Sequence, residues 1–194
     1  MSLASRLWSH AYLVLLVTSI LWAGNAIAGR FAAGHVSPFL LTTLRWSLAF
    51  LFLLPFATRV LRRDAHLIRS NLPFLLAAGT LGFTIYNNLL YLALNHTTAI
   101  NVSIEQAAMP LLVMAGNFVF LKIRVTAIQM AGFLLPLVGV VLAATHGNPL
   151  AIADTPLNRG DFIMIFAIFA YAAYSVMLVH KPPMHWLSFI TVLS

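Results

Sequence analysis

The sequence has no cysteine among its 194 residues. That excludes disulfides, thiol catalysis and cysteine-based metal sites, and it leaves the redox compartment open. Charge is scarce too: 11 Lys and Arg and 4 Asp and Glu make up 8% of the chain. An average soluble domain is about 25% charged. A water-soluble globule this poor in charge has too few polar side chains to cover its surface. With 61% hydrophobic residues and a mean hydropathy of +0.94, the chain reads as an integral membrane protein. The formal net charge of +7 does not point to nucleic acid, because the basic residues fall in short loops between apolar runs.

A spanning helix needs about 20 mostly apolar residues. Six stretches qualify: Ala11–Phe31, Pro38–Thr58, Leu72–Leu94, Ala99–Leu121, Thr126–Thr145 and Phe162–Val179. Turns separate them at His35-Val36-Ser37-Pro38 and Asn95-His96-Thr97-Thr98, and a longer polar loop runs from His146 to Asp161. Lys181-Pro182-Pro183 stops the sixth. The apolar residues from His185 to Ser194 read as the start of a seventh span, so the chain reads as a piece of a longer protein. The expected fold class is all-α, a polytopic membrane helical bundle. Arg6, the following apolar run and Ala26-Ile27-Ala28 imitate a signal peptide. The run is long, contains Trp22 and Asn25 and is followed by five more spans, so it reads as a span.

Basic residues set the expected orientation. The N-terminus and every second loop after it hold Arg6, Arg59, Arg62, Arg63, Arg69, Lys122, Arg124 and Lys181, whereas the other loops hold only Arg159. This bias places the N-terminus in the cytoplasm.

Polar groups inside a span mark solute or ion paths by default. Asn25, Arg45, Asn88 and Glu105 each lie six or seven positions from the outer end of their span. At the helical rise this is about 9–11 Å below the outer interface. Four antiparallel helices thus put polar residues in one layer, with one cation and one anion. Arg45 and Glu105 are expected to face each other, directly or across a solute, and the alternative is a buried ion pair that only positions helices. Asn25, Asn87 and Asn88 would complete the polar cavity, with Trp22, Tyr86 and Tyr91 on its walls. Gly132, Pro136, Gly139 and Ala143 on span five, and Gly24 and Ala28 on span one, form small-residue stripes that suit close helix packing. Pro110 and Pro136 are expected to kink or break their helices.

Other chemistry finds no support. There is no Gly-x-x-x-x-Gly-Lys-Ser/Thr loop and no His-Glu-x-x-His pair, and the seven histidines lie in loops or near span ends. No cofactor or metal is expected. Asp161 reads as an N-terminal helix residue favoured by the dipole.

Spans one and six share a faint pattern, Ile20-Leu21-Trp22-Ala23-Gly24-Asn25 over Phe169-Ala170-Tyr171-Ala172-Ala173-Tyr174. A five-span unit repeated after an odd number of crossings is inverted, as in many secondary transporters. The sequence also resembles the drug/metabolite transporter superfamily and, within it, the EamA-like transporters. The resemblance rests on Trp22-Ala23-Gly24-Asn25, on Ser37-Pro38 followed by Leu44-Arg45-Trp46, and on Tyr86 to Leu94 with Thr97-Thr98-Ala99. Gln106 to Pro110, Gly132 to Gly139 and Asn158 to Ser175 extend it. The family commonly has Glu-Arg after the fourth helix, where this chain has Lys122-Ile123-Arg124.

The resemblance implies ten helices in two inverted five-helix units. Residues 1–145 would be the first unit, 146–161 an outer linking loop and 162–194 the start of the second. It also implies a secondary active transporter that exports a small polar metabolite, such as an amino acid, across the inner membrane by alternating access. The partners would be a small-molecule solute and the lipid bilayer, with protons as a candidate coupling ion. The rival readings are a membrane assembly subunit that does not transport and a membrane-embedded enzyme. The enzyme would need a catalytic His, Asp or Ser cluster at one interface, and none is present.

Overall fold

The computed structural model describes residues 11–145, 147, 148 and 158–194. Arg6 and most of the 146–161 loop lie outside the described residues. Those described form a helical bundle without strands. The long helices are α1 (Ala11–Ala32), α2 (Pro38–Arg63), α4 (Leu72–Ala93), α7 (Ala127–Ala144) and α8 (Arg159–Met177). The fourth crossing is α5 (Ala99–Ala107) followed by α6 (Met109–Leu121). Short helices α3 (Ala65–Ser70) and α9 (Trp186–Leu193) complete the set. Five of the six expected spans are long and apolar enough to cross a membrane, and the remaining one, in α7, is a shorter apolar helix.

Local chemistry sets the helix ends. Ser37 caps α2 by accepting the Leu40 amide at 3.3 Å, with Pro38 as the first helical residue. Thr98 caps α5, and Thr126 with Gln129 forms a reciprocal capping box on α7. Pro110 has no N–H to return to the Gln106 carbonyl, and the fourth crossing steps at Ala108. At Pro136 α7 is not broken: the helix runs through it from Ala127 to Ala144. One feature had no sequence signal strong enough to read. Gly79–Ile85, in the middle of α4, is π-helical. It contains two glycines and the β-branched Thr80, Thr84 and Ile85, all weaker α-formers than Ala or Leu.

Two polar clusters tie the bundle at its opposite ends. At one end Thr97, in the α4–α5 turn, donates to Asp161 Oδ1 at 2.8 Å and accepts from Asn101 and Asn158. Asp161 is the third residue of a capping box with Asn158, so the first turn of α8 is fastened to the α4–α5 turn. At the other end Asp64, buried between α2 and α3, accepts the His185 amide at 2.8 Å. That amide holds the Asp64 carboxyl below its usual range. The start of α9 is thereby fixed against the α2–α3 corner.

Between these ties, close approach depends on glycines other than the expected stripes. A Cβ at Gly160 would lie 2.7 Å from the Ala93 carbonyl oxygen and 2.8 Å from the Thr97 nitrogen. At Gly82 it would meet the Tyr174 ring, and at Gly29 the Tyr91 ring. Gly24, Gly132 and Gly139 have open space where a Cβ would go. In lipid, van der Waals fit and polar contacts hold helices together, since burial from water contributes little. Gly160→Ala should therefore lower stability in detergent by about 1–3 kcal/mol, because backbone has to move. Gly132→Ala should change it by no more than about 0.5 kcal/mol. Chemical denaturation of the two variants side by side checks this, and equal effects would contradict it.

Candidate functional site

The side chain that organises the centre of the bundle is Arg45 on α2. Its Nη1 donates to Asn87 Oδ1 at 2.7 Å and to the Tyr91 hydroxyl oxygen at 2.9 Å. The Tyr91 hydroxyl in turn donates to Asn25 Oδ1 at 2.7 Å. Asn87 is oriented from behind, since its Nδ2 donates to the Phe83 carbonyl at 2.8 Å. Three helices are thus joined through one guanidinium: α1 by Asn25, α2 by Arg45, and α4 by Asn87 and Tyr91. Both of these bonds use Nη1. A guanidinium has five N–H donors, so three remain on Nη2 and Nε.

Arg45 lines a cavity of about 330 Å³. Trp22 and Asn25 line it from α1, Arg45 and Trp46 from α2, and Gly82, Phe83, Tyr86 and Asn87 from α4. Gln106 lines it from α5, Tyr171 and Tyr174 from α8, and Ile190 from α9. The aromatic rings form a continuous wall. Trp22 meets Tyr171 edge-on at 5.8 Å, Tyr171 lies 4.8 Å from Tyr86, and Trp46 lies 4.4 Å from Phe83. Tyr174 sits between Tyr171 and Phe83, at 5.6 and 6.0 Å. Its ring packs on Gly82, so the π-helical segment of α4 presents a glycine where the α8 ring needs room.

Several residues chosen from sequence meet at this cavity. Trp22, Asn25, Arg45, Tyr86 and Asn87 line it, and Tyr91 acts behind the wall as the link between Arg45 and Asn25. Two go elsewhere. Asn88 bonds back to the Thr84 carbonyl at 2.9 Å and does not line the cavity. Glu105 makes no ion pair with Arg45: among the described residues the ion pair is Arg63 with Asp64, at 3.3 Å. The Glu105 Oε2 is buried without a hydrogen bond among the described residues. The physical reason is helical rotation. Counting along a helix gives height, but adjacent residues point about 100° apart. Asn87 rather than Asn88, and Gln106 rather than Glu105, face the cavity at nearly the same height.

Sequence reasoning also missed Trp46, Phe83, Tyr171 and Tyr174. For the two tyrosines a signal existed. In the faint match between spans one and six, Trp22 lies over Tyr171 and Asn25 over Tyr174, and all four line the cavity.

Comparison with known proteins fits a helical membrane bundle. The EamA-like transporter family matches residues 9–145. This chain belongs to the EamA-like transporter family. The match agrees with the wider drug/metabolite transporter superfamily. Two curated relatives are similar over 171 residues, 87% of this chain. One, 25% identical, is the uncharacterized transporter YyaM of Bacillus subtilis. The other, 30% identical, is an uncharacterized transporter of Archaeoglobus fulgidus. The match covers 55% and 57% of their lengths, so the chain spans little more than half of each. No solved structure matches the chain. As an EamA-like chain with several apolar helices, it is a multi-pass membrane protein.

Among the described residues the Tyr91 hydroxyl alone joins Asn25 to Arg45, so Tyr91→Phe is informative. It should destabilise the bundle by about 1 kcal/mol, in the range of hydrogen bonds between membrane helices. Denaturation in detergent measures this, and unchanged stability would show that the link carries no load.

Proposed function

We propose that this chain forms one side of the solute cavity in a secondary active transporter, which exports a small carboxylate-bearing metabolite such as an amino acid. The observation that carries the reading is the state of Arg45. A guanidinium inside a membrane helix costs about 2.5–3.5 kcal/mol on insertion scales. The alternative of a buried ion pair that only positions helices would pair Arg45 with a carboxylate, and among the described residues Arg45 has none. Here neutral oxygens of Asn87 and Tyr91 hold it, so its charge is kept while its position is fixed. Its three remaining N–H donors have no partner among the described residues, and Arg45 lines a cavity of metabolite size. Arginine's planar fork matches a carboxylate. The rings opposite supply an apolar wall for the rest of the solute.

Further parts of the reading rest on the sequence and the family. The basic-residue bias supports a cytoplasmic N-terminus and an inner-membrane location. Residues 1–145 would be a first unit, 146–161 a linker and 162–194 the start of an inverted second unit, and rocking of the units would give alternating access. Glu105 lies off the cavity and away from Arg45, which suits proton exchange better than contact with the solute. Asn88, also off the cavity, would act on the solute only indirectly.

The test uses the purified chain with three panels: zwitterionic amino acids, simple monocarboxylates and primary amines. A ligand at a hundred times its Kd stabilises by about 2.7 kcal/mol, which a melting curve resolves. Carboxylate-bearing solutes should raise Tm, and Arg45→Gln should remove the effect, whereas Glu105→Gln should retain it. In transport by the protein in vesicles, Glu105→Gln should lose the pH dependence. Stabilisation by amines alone, or an undiminished response in Arg45→Gln, would refute the assignment of Arg45.

A further inference from the structure

We propose that the indole N–H of Trp46 is the second donor of an anion clamp, gripping the solute carboxylate together with Arg45. The proposal rests on the reading of Arg45 given above and extends it to a residue that only the structure singles out. Trp46 follows Arg45 on α2, and both line the cavity. The guanidinium carbon of Arg45 lies over the Trp46 ring, 4.7 Å from its centre. The guanidinium and the indole are therefore stacked neighbours at the cavity wall.

The indole nitrogen itself is the telling atom. Trp46 Nε1 is buried and has no hydrogen-bond partner among the described residues. An indole N–H only donates, so nothing but an acceptor can satisfy it. Buried donors are rarely left unpaired, and the side chain that carries this one lines the cavity, so a solute held against Trp46 would supply the missing acceptor. The ring is also held in place without a solute. It packs on Phe83 at 4.4 Å, and Phe83 belongs to the π-helical segment of α4. Asn87, just beyond that segment, bonds the Phe83 carbonyl through its amide and holds Arg45. One stretch of α4 thus positions both donors.

A carboxylate has two oxygens and accepts from the guanidinium and the indole at once. A primary amide offers a single carbonyl oxygen, and an ammonium offers only donors, which both groups reject. The clamp therefore selects for carboxylates and accounts for why an indole, rather than another phenyl ring, stands beside Arg45.

The experiment uses phenylacetate and its neutral amide, phenylacetamide, as probes on the full chain in detergent. Trp46→Phe keeps a ring on Phe83 and removes the N–H. Calorimetry should show phenylacetate binding weakened about tenfold in this variant, as for loss of one hydrogen bond to a charged group. Phenylacetamide binding should change by less than about twofold on the same grounds. In the unaltered chain, phenylacetate should also shift one of the four indole N–H resonances, the one missing from Trp46→Phe. That spectrum decides the matter even if the variant fails to fold, because an unmoved set of indole resonances overturns the clamp. Equal weakening of both probes would reduce Trp46 to a packing residue and overturn it too. Unchanged phenylacetate binding in Trp46→Phe, with loss in Arg45→Gln, would sink the clamp and leave the Arg45 reading standing. No binding of phenylacetate to the unaltered chain would sink both.

Discussion

A positive charge in a low-dielectric interior must be either neutralised or surrounded by oriented dipoles. This bundle does the second at Arg45. Asn87 and Tyr91 accept from its guanidinium, and each is held by a further partner, the Phe83 carbonyl and Asn25. Neutral acceptors lower the cost of the buried charge without cancelling it. The consequence is a fixed cation with spare donors toward a cavity, and the rest of the centre is arranged around that fact. The π-helical segment of α4 carries Gly82 and Phe83 and leads directly into Tyr86 and Asn87. It therefore sets the backbone of the Arg45 support and the approach of the Tyr174 ring together.

The ends of the bundle isolate this centre mechanically. Thr97, Asn158 and Asp161 fasten α8 at one end, and Asp64 fastens α9 at the other. In the first fastening, Thr97 bonds the side chains of the Asn158–Asp161 capping box. In the second, the Asp64 carboxylate satisfies the His185 amide at the start of α9, which would otherwise be orphaned. They also fix α8 at the height where Tyr171 and Tyr174 reach the cavity. Gly160 and Gly82 permit that fit by bringing α8 against α4 without a Cβ between them.

Much of the fold was legible in the sequence because membrane helices announce themselves by length and apolarity. The turns at Ser37 and Thr98 and the break near Pro110 followed from capping and proline chemistry. The cavity was legible in height but not in direction. Asn25, Arg45 and Asn87 line the cavity, whereas Asn88 and Glu105 do not and Gln106 does. Height depends on residue count alone, whereas direction depends on helix phase, and a step at Ala108 and a π-helical stretch both shift phase. The glycines failed for a related reason. Gly132 and Gly139 form a stripe in sequence, yet close contact at Gly160 and Gly82 depends on which ring or carbonyl arrives from another helix. No periodicity within one segment contains that information.

The central claim is that the cavity carries the uncancelled positive charge of Arg45. The chain has no cysteine of its own, so a single cysteine at the cavity-lining Gln106 is a unique reporter. The measurement is the rate at which Gln106→Cys reacts with thiosulfonate reagents of similar size, one sulfonate-bearing and one trimethylammonium-bearing, each normalised to a free thiol. The account predicts that the anionic reagent reacts faster, and that the preference disappears when Arg45→Gln is added. A preference for the cationic reagent would mean that a carboxylate dominates the cavity, and it would contradict the account.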